Sequence, residues 1–192
     1  MMGLTGAGKS SFVNKAIGSP SSAVGEGLGS ATDEIQEHRC AHPRDSGRSL
    51  VFIDTPEIGG RYKTAADVLW AISRWLTEEY EGNVLLTGIL FMHCITDNRV
   101  PGGDTAQMRT QLLQALCGRS DLRNVVLVTT MNDTPMKGTV KDDRLVDLRK
   151  NFWMPMISNG SRVDSSYFHT PESAWDILNQ FEELRPPRND QS

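Results

Sequence analysis

The chain reads as an α/β protein, a mostly parallel central sheet covered by helices on both faces in three layers. Three observations predict this. Short apolar runs at 49–54, 84–92 and 124–130 alternate with segments of helical spacing. The runs at 84–92 and 124–130 are apolar at nearly every position, as strands covered on both faces must be. The polar residues of chemical interest follow the ends of these runs, where ligands bind in such sheets.

Taken in order, a glycine-rich loop at 3–8 leads into a helix over 9–17. A Gly/Ser-rich stretch over 18–30 precedes a polar strand-like run near 34–42, then the run Ser49 to Asp54. Val68, Leu69, Ile72, Trp75, Leu76 and Tyr80 fall on one face at 3.6-residue spacing and predict a helix over 65–80. A strand over 84–92, a helix over 105–116 stopped by Gly118, and a strand over 124–130 follow. A helix over 142–152, a last strand over 162–168 and a helix over 171–184 with Pro at its first turn complete the pattern. Residues 1–185 are expected to be one nucleotide-binding domain and 186–192 a flexible polar tail.

Composition sets limits. The chain has 192 residues with 38% hydrophobic and 23% charged side chains, enough for one folded domain with a single core. Its net charge of -4 gives no general attraction to nucleic acid or anionic membrane, so no nucleic-acid partner is expected. No apolar run reaches the ~20 residues of a membrane span. No leader is legible, since the chain opens in its most chemical motif, and a cytoplasmic location is expected. Cys40, Cys94 and Cys117 lack metal-ligand spacing and read as small buried hydrophobes.

Gly3-Leu4-Thr5-Gly6-Ala7-Gly8-Lys9-Ser10 matches G-x-x-x-x-G-K-[ST] at every fixed position. Glycines let successive N–H groups converge on phosphate oxygens, and the following helix adds its positive end. Gly3 to Ser11 are therefore expected to hold a nucleoside triphosphate, Lys9 reaching the β- and γ-phosphates and Ser10 ligating Mg²⁺. In this P-loop fold an apolar strand normally feeds the loop, yet only Met1 and Met2 precede Gly3. The first strand is expected to be missing, either because the chain is truncated at its amino end or because the sheet has a gap at its centre. Truncation is the preferred alternative.

Four further motifs extend the site. Asp54 ends an apolar strand in Phe52-Ile53-Asp54-Thr55-Pro56 and can hold Mg²⁺ opposite Ser10; alone it would read as a turn cap. Thr32, in the linker Gly29-Ser30-Ala31-Thr32, can place its hydroxyl on Mg²⁺ and its N–H on the γ-phosphate, or be an ordinary turn residue. Thr130-Met131-Asn132-Asp133 follows the next buried strand. Asp133 there can accept the ring N–H and exocyclic amine of guanine, which adenine cannot offer; a plain turn is the other reading. Ser173 and Ala174, in His169-Thr170-Pro171-Glu172-Ser173-Ala174, are candidates for a second base contact through a backbone N–H.

With these residues the chain resembles the guanine-nucleotide-binding (G) domain of the translation-factor-related P-loop GTPases, over about residues 3–184. The stretches G-L-T-G-A-G-K-S-S-F, I-D-T-P, L-T-G-I-L-F-M-H-C-I-T-D-N-R and V-L-V-T-T-M-N-D are most similar to the septin and GIMAP-like group, which includes chloroplast import-receptor GTPases, and to fungal proteins of that group. The resemblance implies GTP/GDP and Mg²⁺ as ligands and a homodimer across the nucleotide face, where Arg99 is a candidate to act in trans. It also exposes departures. Glu57 stands where D-T-P-G supplies a γ-phosphate-binding glycine, Met131 replaces the usual lysine, and no Gln just after Asp54 orients a water.

The expected function is GTP binding with slow Mg²⁺-dependent hydrolysis, in a dimerising or partner-regulated switch. The alternative is a catalytically weak nucleotide-binding assembly module. An ATP-using kinase or ATPase of the same loop class is a third reading, requiring that Asp133 not choose the base.

Overall fold

The computed structural model describes residues 1–4, 6–18, 35–43, 45–55, 65–80, 86–97, 104–117 and 121–181. Six strands and six α-helices are found among these, in the order β1 (Met2–Gly3), α1 (Lys9–Ile17), β2 (Gln36–His42), β3 (Asp45–Asp54), α2 (Ala65–Tyr80), β4 (Ile89–Cys94), α3 (Asp104–Cys117), β5 (Val125–Thr130), α4 (Val140–Asp147), α5 (Met154–Ser158), β6 (Arg162–Asp164) and α6 (Pro171–Asn179). A parallel sheet runs β1-β4-β5-β6, while β2 and β3 form an antiparallel pair.

The unbroken apolar runs become strands buried on both faces because their side chains alternate between two cores. From β4 and β5, Ile89, Phe91, Val125 and Leu127 face one core, which α2, α3 and α5 cover through Ile72, Leu113 and Met156. Leu90, Met92, Val126 and Val128 face the other, which α1 and α6 cover through Phe12, Val13, Ala174 and Ile177. On that second face the Trp175 indole N–H donates to Ala16 O at 3.0 Å, and the Phe12 and Tyr167 rings lie 5.0 Å apart. Together they dock α6 and the loop before it against α1.

The expected absence of the first strand is corrected. Met2 and Gly3 are a strand of two residues, paired parallel with Phe91 and Met92 of β4. Backbone pairing needs no particular side chains, so two residues suffice where a neighbouring strand already presents its edge. The other edge is taken too: Met1 O accepts from the Thr55 N–H at 3.3 Å and the Thr55 hydroxyl at 2.9 Å, just past β3. Gly3 is required by this closeness. A Cβ there would lie 2.3 Å from Met92 O, and its φ of 151° suits only glycine.

Two further differences concern helix ends. The helix expected over 142–152 is α-helical only to Asp147; Leu148–Phe152 widens into a π-helical turn, with Trp153 N–H donating to Leu148 O at 2.7 Å. That wider turn leaves Leu148 and Trp153 both buried. The last strand is three residues long, not seven, and residues 165–170 form a loop instead. The expected tail at 186–192 lies outside the described residues.

Beyond the short β1, a cavity of about 300 Å³ opens between β3 and β4, walled by Leu50, Phe52, Ile89, Leu90, Leu178 and Phe181. An extended chain added ahead of Met1 would enter it, its first residues opposite Ile89 and Gly88 in the register of β1. A fusion of four or five apolar residues before Met1 should therefore give a more stable protein than a polar extension of equal length. The cost of ordering the backbone is common to both, so the difference is the burial of two side chains, worth roughly 1.5–3 kcal/mol each. At roughly 2–4 °C per kcal/mol for a chain of this size, the apolar fusion should melt at least ~6 °C above the polar one; equal Tm values would refute strand insertion.

Candidate functional site

The site lies at the carboxyl ends of β1, β3, β4 and β5, and the loop Gly3 to Gly8 is its floor. The Ala7 N–H donates to Leu4 O at 3.0 Å, closing a turn inside the loop. Gly8, at φ 84°, turns the chain into α1 in a left-handed conformation, and no side chain caps that helix. First-turn N–H groups without a side-chain cap at the positive end of a helix are the arrangement an anion takes up. Gly6 shares the left-handed conformation. Thr5 lies outside the described residues.

Lys9 is held along the loop, buried to 9% exposure, with Nζ donating to Gly3 O at 3.1 Å and Leu4 O at 3.3 Å. Both acceptors are neutral carbonyls, which a phosphate oxygen would outcompete, because charge-assisted hydrogen bonds are roughly twice as strong. Ser10, one residue on, donates its hydroxyl to Asp54 Oδ2 at 3.2 Å. Asp54 is 1% exposed, and its Oδ1 is buried without a hydrogen bond. A hydroxyl beside a buried carboxylate with an oxygen to spare is a hard-oxygen pair of the kind Mg²⁺ takes, with the remaining positions left to phosphates and water. The residues present fit that ion. The described residues hold no group of three or more His, Cys, Asp and Glu side chains, so an all-protein metal cage is not formed among them.

The base side of the site is built by hydrogen bonds between distant parts of the chain. Thr130 Oγ1, at the end of β5, donates to Ala7 O at 3.0 Å and so ties the β5 loop to the phosphate loop. Asn132 is buried and acts as a clamp: Nδ2 donates to Thr129 O at 2.6 Å and to Tyr167 O at 3.0 Å, and Oδ1 accepts from the Thr129 hydroxyl at 2.9 Å. The following Asp133 is exposed, as a base acceptor has to be. Its negative charge adds to burial, the larger cause, in raising the Tyr167 phenol to about 12. The Tyr167 hydroxyl is buried without a hydrogen bond.

Ser173 and Ala174, expected to reach the base through an N–H, are otherwise engaged. Thr170 and Ser173 form a reciprocal cap at the start of α6: the Ser173 N–H donates to Thr170 Oγ1 at 3.2 Å. The Ala174 N–H donates to Thr170 O at 3.1 Å, and both residues are buried. The loop ahead of the cap faces the site instead. His169, left-handed at φ 60°, brings its ring nitrogens to 3.4 and 3.5 Å from the Ser11 hydroxyl. Phe168 is half exposed beside Lys141, whose Nζ lies 5.9 Å from the ring centroid and also donates to Asn132 O. None of Tyr167, Phe168 and Lys141 was singled out as a site residue from the sequence. Lys141 follows Asp133 at no recognisable spacing, and Phe168 was assigned to a strand.

Thr32, Glu57 and Arg99 lie outside the described residues. His93 is buried edge-on against Trp153, with ring centroids 6.3 Å apart, and reads as a core residue. All three cysteines are half-buried and none is in a disulfide.

Residues 1–131 match the family model described as 50S ribosome-binding GTPase. No curated protein matches the chain. Among solved structures, a dimerization-deficient mutant of Toc33 from Arabidopsis thaliana superposes with a TM-score of 0.67 at 18% identity, over 96% of this chain and 83% of that one. Toc33 in complex with Mg²⁺ and GMPPNP gives 0.66 at 17% identity, over 96% and 83%. Toc33 in complex with GDP and Mg²⁺ gives 0.64 at 16%, over 95% and 81%. At these identities the likeness is one of fold: an α/β domain with a mostly parallel central sheet.

The tie between the two loops is open to test by Thr130→Val, which keeps shape and removes the hydroxyl. It leaves Ala7 O without its buried donor, at a cost of about 1–3 kcal/mol in urea unfolding. A change below ~0.5 kcal/mol would mean that the hydroxyl does not join the loops.

Proposed function

We propose that this chain is a guanine-nucleotide-binding switch, from the premise that it belongs to the family of 50S ribosome-binding GTPases, whose model matches residues 1–131. It binds GTP and GDP with Mg²⁺ and hydrolyses GTP slowly. The observation that carries this reading is the pair of Ser10 and Asp54, 3.2 Å apart beside the phosphate loop, with one buried carboxylate oxygen unbonded. Toc33, solved with GMPPNP and with GDP, each together with Mg²⁺, supplies the ligand chemistry by analogy.

In this reading Gly3, Leu4, Thr5, Gly6, Ala7 and Gly8 wrap the phosphates with backbone N–H groups, and Ser11 continues the contact from α1. Lys9 exchanges Gly3 O and Leu4 O for phosphate oxygens and neutralises charge as water attacks the γ-phosphorus in line. The bond to the bridging oxygen breaks, giving GDP and inorganic phosphate. Mg²⁺, when bound, neutralises phosphate oxygens from the side of Ser10, Asp54 and Thr32. Asp133 selects guanine, while Thr130 and Asn132 hold the loop that carries it.

Turnover by the isolated chain is expected to be slow, because no side chain is assigned to orient the water. Placement in the septin and GIMAP-like group, with fungal relatives, is the finer form of this proposal. The same applies to a homodimer across the nucleotide face with Arg99 acting in trans. In the chloroplast translocon components atToc33 and psToc159, dimerization is important for the GTPase activity. The second reading, a nucleotide-binding assembly module, is favoured by Met131. It is 39% exposed in a left-handed conformation and takes the place of the usual lysine. Glu57 in place of glycine points the same way.

Titration with fluorescent GDP and ADP in Mg²⁺ tests the ligand: tight binding of GDP alone is expected, and equal binding of both would sink the guanine assignment. Asp133→Asn should narrow the preference for GDP by about 10- to 100-fold, the worth of hydrogen bonds to a charged group. Turnover per chain should rise with protein concentration for a dimerising enzyme; a flat, near-zero rate supports the assembly module.

A further inference from the structure

Two large apolar side chains stand exposed around the base loop, Met131 at 39% and Phe168 at 50%. Neither is loosely placed. Met131 directly follows β5 in a left-handed conformation. Phe168 is fixed through its backbone, its N–H donating to the Ser173 hydroxyl at 3.2 Å, and its ring lies 5.9 Å from the Lys141 ammonium. Lys141 donates to Asn132 O as well, next to the exposed Asp133. Asn132 in turn holds Tyr167 O at 3.0 Å, one residue before Phe168. A half-exposed ring, a cation on that ring, and an exposed carboxylate therefore meet at one place, continuous with the phosphate loop through Thr130 and Ala7.

We infer that Phe168 is the stacking wall of the nucleotide base pocket and that Lys141 is its positioning residue. This rests on the nucleotide-binding reading and adds the group that receives the flat face of the base. A purine has an apolar π-face whatever its edge carries, and stacking on an aromatic ring is tolerant of base identity. Asp133 reads the edge and Phe168 takes the face. The cation fixes the ring from Asn132, so ring and carboxylate keep one geometry. The fixed ring compensates for Met131, whose flexible stem replaces the usual lysine.

The two roles leave different signatures. Phe168→Ala should weaken GDP and ADP alike, by about 5-fold or more, leaving their ratio as in the wild type. Asp133→Asn changes the ratio. Phe168→Trp should restore GDP affinity, and its added tryptophan emission should change when GDP is titrated in. Lys141→Met should weaken GDP by a smaller factor, and Lys141→Arg should recover it. Pyrophosphate, which has no base, should bind the wild type and Phe168→Ala equally. Thermal melts check that Phe168→Ala is folded; if it is not, Phe168→Leu takes its place. Wild type that binds GDP while Phe168→Ala binds it as tightly overturns the stacking role and leaves the nucleotide reading standing. Wild type that binds neither nucleotide overturns that reading itself.

Discussion

Everything at this site depends on three residues of backbone between two strands. Met1 O accepts from Thr55 beyond β3, and Met2 and Gly3 pair with Phe91 and Met92 of β4. This seam fixes where the phosphate loop begins, and its backbone hydrogen bonds link the end of β3 to the parallel sheet. Backbone pairing can do this with so few residues because the surrounding side chains have already excluded water: Met2, Phe52, Phe91 and Met92 are all buried. In that setting an unpaired N–H or carbonyl would carry a desolvation penalty of about 1–3 kcal/mol. The close approach admits no side chain at position 3, where a Cβ would meet Met92 O. The first glycine of the phosphate motif thus serves the sheet as well as the loop.

A second tie carries that placement to the base. Thr130 reaches back to Ala7, and Asn132 reaches across to Tyr167, so the β5 loop is held from both sides. The described residues with left-handed backbone other than glycine, Met131 and His169, both lie on the loops so joined. Such conformations cost on the order of 1–3 kcal/mol each and persist where the surroundings over-determine them. Here the surroundings are visible: the Asn132 clamp after Met131, and the Thr170–Ser173 cap after His169. The strain lies where the ligand-facing edges of the two loops are set.

How legible the site was follows from how local its interactions are. The phosphate loop and α1 are specified by consecutive residues, and the helix expected over 65–80 matches α2 residue for residue. β4 and β5 were legible because burial on both faces leaves an unbroken apolar run. The motif carrying Asp133 was legible, but the contacts that hold the base side were not, because they are made by pairs far apart in sequence. Asn132 meets Tyr167 across 35 residues, and Lys141 meets Phe168 across 27. Thr170-Pro171-Glu172-Ser173 carries a helix-start signal, with Pro at the first turn and a hydroxyl at the cap. The structure uses Thr170 and Ser173 for that cap, a local role beside the base contact expected of Ser173 and Ala174. The end of α4 was missed because a π-helical turn preserves the apolar residues while changing their phase.

Ligand binding and stability are coupled through the same atoms. A carboxylate oxygen of Asp54 is buried without a hydrogen bond, and two loop residues are strained. Each raises the energy of the protein without ligand, and Mg²⁺ chemistry would relieve the first. A ligand that binds only the folded state stabilises it by RT ln(1 + [L]/Kd), about 2.7 kcal/mol at a hundredfold excess over Kd. That increment is large against the ~5–15 kcal/mol that holds a typical domain together. It falls on the seam of β1, the least extensive pairing in the sheet, because the loop that would hold the phosphates begins in that strand. On the proposed nucleotide-binding reading, binding is therefore expected to tighten the join of β1 to its neighbours on both sides.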